Sequence, residues 1–119
     1  MKVFAQIDIP IKGRKWKFIL MTDRAFDKLH NSNEDEADNQ NAAMTISTKY
    51  EVHFPKSYWN IMDIRHELTH CYYAMAGVNS SELTTLQVEE TLCEIVGKDG
   101  PEIMMNADRV AECFFNYNK

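Results

Sequence analysis

The stretch PKSYWNIMDIRHELTHCYYAMAG, residues 55–77, decides the reading of this chain. Pro55 and Ser57 punctuate the start of a long helix and Gly77 ends it, while Ile61, Ile64, Leu68, Tyr72 and Met75 recur at the three-four spacing of a buried stripe. His66, Glu67 and His70 form an HExxH sequence within it. Two histidines four residues apart stand one turn above each other, so their imidazoles can converge on one metal ion. Glu67, about 100° round the helix, then reaches a water on that ion. The apolar stripe points roughly opposite to His66 and His70, so one face of the helix holds it to the domain and the other looks toward the helices that follow.

Upstream, Val3, Ala5, Ile7 and Ile9 alternate with polar neighbours, as do Trp16, Phe18 and Leu20, which predicts a hairpin turning near Lys12 and Gly13. Thr22 caps a short helix to about His30, with Phe26 and Leu29 inward. Residues 31–41, NSNEDEADNQN, have no periodicity and predict an exposed acidic loop. Its carboxylates lack the Gly and terminal Glu of a calcium loop. From Ala43 to Phe54 strand chemistry returns as one or two strands, with Met44, Ile46, Tyr50, Val52 and Phe54 available for an inner face. Downstream, a helix over Ser81–Val96 carries Val88, Leu92, Ile95 and Val96 as its apolar side. Gly97, Gly100 and Pro101 separate it from a last helix with Ile103, Ala107, Val110 and Phe114 inward. The expected class is α+β: a hairpin and small twisted mixed sheet on the HExxH helix, then two C-terminal helices, all in one domain over residues 1–119.

Composition narrows the function classes. The 119 residues carry 18 acidic and 13 basic side chains for a net charge of −5, which argues against nucleic acid as the main partner. Lys12, Arg14, Lys15 and Lys17 make a small basic hairpin, read as a solvated edge that discourages aggregation. Cys71, Cys93 and Cys113 are an odd, widely spaced set without a CxxC pair, which suits free thiols in the cytoplasm. No apolar run is long enough to span a membrane.

Two histidines need a further protein ligand for a tetrahedral zinc with one open position. An antiparallel helix starting near Ser81 climbs back to the height of His70 at residue 89 or 90, where Glu89 and Glu90 stand. Glu90 lies opposite the side formed by Val88, Leu92 and Ile95 and is the preferred ligand. Glu94, one turn on, shares its face and can hydrogen-bond a ligand histidine.

HELTH with Glu90 twenty residues beyond His70 and another acid at Glu94 resembles the gluzincin pattern of zinc metallopeptidases. The resemblance covers about residues 43–96 and is closest to small single-domain zincin-like peptidases of bacterial and phage genomes, related in plan to SprT-like and ImmA-type proteins. It implies a twisted sheet over an active-site helix and an edge strand that binds extended peptide. The larger members carry an NExxSD sequence that this chain lacks, with Glu at position 94 where they have Asp.

The expected function is a zinc-dependent endopeptidase with one Zn²⁺ per chain on His66, His70 and Glu90, Glu67 as general base, and a peptide or protein as substrate. Candidates for stabilising the oxyanion are His53, Tyr72, Tyr73, Arg109 and Tyr117. The strand around His53 could also pair with substrate backbone. Two other classes are a regulatory protein that keeps zinc for stability, and a deformylase. The second takes a Cys ligand upstream of its helix, and this chain has no Cys before His66.

Overall fold

The computed structural model describes residues 3–30, 43–77 and 80–117; the acidic segment 31–41 therefore lies outside the described residues. Strand β1 (Val3–Ile11) and strand β2 (Arg14–Met21) form the expected hairpin. Its two-residue turn places Lys12 at φ 50° and Gly13 at φ 84°, the pair of positive values that matches the twist of the flanking strands. Helix α1 (Asp23–His30) follows, its first turn capped by Thr22 Oγ1, which accepts from Ala25 N at 3.0 Å. Strands β3 (Met44–Ile46) and β4 (Glu51–Pro55), helix α2 (Ile61–Met75) and helix α3 (Thr85–Tyr117) complete the order.

The sheet runs β1-β2-β4-β3. Its central pair, β2 and β4, is parallel and both outer pairings are antiparallel, so the sheet is mixed, as expected. Alternation gives it two apolar faces. Ile9, Ile11, Trp16, Phe18, Leu20, Val52 and Phe54 pack against α2 and α3, forming the main core with Ile64, Leu68, Tyr72, Ile103, Val110 and Phe114. Ile19 and Met21 face the other way, onto Ala25 and Phe26 of α1, with Met44 beside them. Phe26 is buried as expected, but Leu29 is exposed, because α1 is only two turns long and covers a small patch.

Helix α2 begins later than Pro55 and Ser57 indicate: Asn60 Oδ1 accepts from Asp63 N at 2.9 Å and sets the first turn. Its end is as expected, with Gly77 at φ 72° just past the last turn. The C-terminal region differs more. The two expected helices are one helix of 33 residues that runs through Gly97, Gly100 and Pro101. A proline inside a helix costs about 3 kcal/mol, and burial on both sides offsets it: Ile95 lies before the proline and Ile103, Ala107, Val110 and Phe114 after it. Gly97 and Pro101 themselves sit on the exposed side of the helix. The N-terminal half buries only Ile95 fully, leaving Leu92 and Val96 exposed although the sequence placed both on the packed side. Among the described residues no helix is long and apolar enough to cross a membrane.

Candidate metal centre

His66, Glu67 and His70 on α2 form the one group of three or more metal-ligating side chains among the described residues, with a ligand atom from each lying within 4.8 Å of the others. The two histidines are exposed and Glu67 is buried. His66 Nε2 and His70 Nε2 are 3.2 Å apart. Two nitrogens bound to one tetrahedral zinc at about 2.0–2.1 Å stand about 3.3 Å from each other, so the histidine pair fits a single ion. Glu67 Oε2 lies 3.7 Å from His66 Nε2.

The side chains stand between two clefts. One, of about 470 Å³, lies toward β3 and is lined by Ala43, Met44, Thr45, Ser47 and Tyr73 together with all three motif residues. The other, of about 580 Å³, lies toward α3 and is lined by Thr69, Tyr73, Val88 and Leu92 with the two histidines. No family model, curated protein or solved structure matches this chain. What the centre can do is therefore read from its own geometry.

Glu90 is not brought to the histidines. Val88 and Leu92 turn toward them, and Glu90, about 200° round the helix from Val88, is exposed and outside the metal-ligating group. Glu89 borders a separate apolar groove with Cys93 and Val96. Glu94 lines a pocket with Lys12, Tyr72 and Lys98 instead of meeting a histidine. The physical reason is the rotation of α3: Val88 and Leu92 border the cleft with the histidines, which leaves Glu90 on the far side, while Glu94 meets α2 further along, beside Tyr72, Met75 and Ala76.

Of the five oxyanion candidates only Tyr73 reaches the centre, where it borders both clefts. Tyr72 is turned to α3, donating its hydroxyl to Glu102 and accepting from Asn106 Nδ2 at 3.2 Å. Burial first, and the bond to Glu102 second, push its hydroxyl well above its usual range. Arg109 is exposed on α3, and the Tyr117 ring rests on Phe4 with centroids 5.0 Å apart. Cys71, one turn below Glu67, is buried; its thiol is pushed far up, by burial and then by the Glu67 charge, and it acts as a packing residue.

His53 lies on the opposite face of the sheet. Its Nε2 is 2.9 Å from Glu51 Oε1 and its Nδ1 is 2.8 Å from His30 Nε2. The carboxylate can only accept, so Nε2 of His53 carries the proton and Nδ1 accepts from His30. Burial first, and His53 second, push His30 down to about 4. Strand β4 is paired on both sides, by β2 and β3, so it offers no free edge to a substrate, contrary to the expectation for the segment around His53.

Among the described residues the edge strand at the cleft is β3, which also supplies a contact that the sequence did not reveal. Thr45 Oγ1 donates to Glu67 Oε1 at 2.8 Å. Thr45 sits in a three-residue strand with no signal beyond alternation, and only the register that opposes it to Val52 directs its side chain to α2.

Proposed function

We propose that this chain is a zinc-dependent peptidase. The observation that carries the reading is the 3.2 Å approach of His66 and His70 Nε2 atoms beside a buried Glu67, in a cleft bordered by β3, whose outer edge is unpaired among the described residues. His66 and His70 would hold the ion through Nε2, and among the described residues no side chain outside the motif joins them as the third ligand. Zinc bound there supplies an acidified water and a Lewis acid for the carbonyl oxygen. Glu67 accepts the proton of the attacking water at Oε2 and returns it to the leaving amine. Tyr73, which borders both clefts, is the candidate for stabilising the developing oxyanion. An extended peptide would lie along the open edge of β3, taking main-chain hydrogen bonds by strand addition. The three free cysteines fit a cytoplasmic setting.

The test is Glu67→Gln against the natural chain on a mixed-peptide substrate pool. Retained zinc with hydrolysis lost supports the reading; full hydrolysis by Glu67→Gln refutes it. A second reading, zinc kept for stability in a regulatory protein, has less support, because structural zinc takes four protein ligands and among the described residues no donor outside the motif joins the histidines. It predicts a melting temperature lowered by chelation and no cleavage of any peptide by the zinc-loaded protein.

A further inference from the structure

We propose that Thr45 is a positioning residue that fixes the Glu67 carboxylate in one orientation, an inference that rests on the peptidase reading for its catalytic consequence. Glu67 is 7% exposed, and a buried carboxylate left without donors is costly, so the Thr45 hydroxyl aimed at it carries weight. Thr45 Oγ1 takes Oε1 at 2.8 Å and also stands 3.5 Å from the Glu67 backbone carbonyl. The other carboxylate oxygen, Oε2, is the atom left facing His66, at 3.7 Å.

The hydroxyl is itself held firmly. A β-branched side chain in a strand has a restricted χ1, and pairing opposite Val52 points Thr45 to α2 while Met44 and Ile46 point away. The bond decides between two uses of Glu67. Its carboxylate, His66 and His70 lie close enough to share one ion, and a carboxylate free to swing would occupy the position a water needs. With Oε1 tied to β3, Oε2 is held 3.7 Å from His66 Nε2, beyond the roughly 3.3 Å that separates two ligands of one zinc, and the bond keeps the carboxylate from swinging closer. The same tie links the open strand edge, where a peptide would lie, to the group that acts on its carbonyl.

The test compares full-length natural protein with Thr45→Ser, Thr45→Val and Thr45→Ala. Side-chain three-bond couplings of Glu67, measured by NMR without added metal, read its rotamer directly. One rotamer in the natural chain and Thr45→Ser, with averaging in Thr45→Val, is expected; Thr45→Ala serves if the valine variant does not fold. With zinc loaded, Thr45→Val should lower kcat about tenfold or more with KM little changed, and Thr45→Ser should restore it. A single Glu67 rotamer in both the valine and alanine variants overturns the proposal. Averaging rescued by serine, in a protein that cleaves no peptide, upholds the positioning role and refutes the peptidase reading alone.

Discussion

Replacing Gly97 and Gly100 by alanine should stabilise the protein, and the sign of the effect tests the continuity of α3. Both glycines lie inside the helix, neither has a positive φ, and a Cβ built at either meets no atom within 4 Å. Glycine costs about 0.8–1.0 kcal/mol relative to alanine in a helix interior, so the double variant gains about 1.5–2 kcal/mol. Unfolding entropy near 2.1 cal/mol/K per residue makes each kcal/mol worth roughly 4 °C for a chain of this size. The expected rise is therefore roughly 6–8 °C, read by thermal circular dichroism at 222 nm. Gly77 is the control of opposite sign: its Cβ also meets nothing within 4 Å, but it sits at φ 72°. Alanine there pays the left-handed penalty of about 1–2 kcal/mol, less a part recovered from the unfolded chain, and lowers the midpoint by roughly 4 °C. If Gly97→Ala and Gly100→Ala fall as Gly77→Ala does, the chain leaves the helix there and α3 is two helices.

Two further outcomes follow from the site and the opposite sheet face. Zinc content by mass spectrometry, on protein purified without a metal-binding tag, should be near one per chain, lost in His66→Ala and His70→Ala and kept in Glu89→Ala and Glu90→Ala; loss in Glu90→Ala alone would mean that α3 turns its acidic side to the cleft. His30, held at about 4 against an ordinary 6.5, is neutral in folded and unfolded chains above pH 6.5, whereas between 6.5 and 4 the unfolded chain binds the extra proton. Stability should thus fall as pH drops through that window, and His30→Gln, which retains an N–H for His53, should flatten this part of the melting profile; parallel profiles for the two proteins would refute the burial argument.

What was legible in the sequence follows the range of the interaction that decides each element. The hairpin, the Thr22 cap, the α2 stripe and the Gly77 stop rest on residues a few positions apart, and the structure contains each of them. The break expected at Gly97, Gly100 and Pro101 was also local, and there local preference loses. Ile95 before the interruption and Ile103, Val110 and Phe114 after it all enter the main core, so a continuous helix buries apolar residues on both sides of Pro101. Those residues were in the sequence; their weight against the proline depends on what they pack against, and that surface is made largely by strands far away in the chain.

The candidate site divides in the same way. Helical spacing alone puts His66, Glu67 and His70 on neighbouring faces, and the 3.2 Å approach of the histidines needs little else. The third ligand was sought by height along an antiparallel helix, which constrains distance along the axis but not rotation about it. Rotation is set by which side of α3 is apolar, and Val88 and Leu92 already marked that side. Given that a helix packed on α2 turns its apolar side inward, the same residues that placed Glu90 at the right height also placed it on the outer side. Thr45 stands at the other limit. No helical wheel or capping rule involves it, because its partner is reached only through the register of a three-residue strand against β4 and the docking of α2 on the sheet. A base oriented from a strand edge is thus the part of this centre that only the tertiary structure could supply.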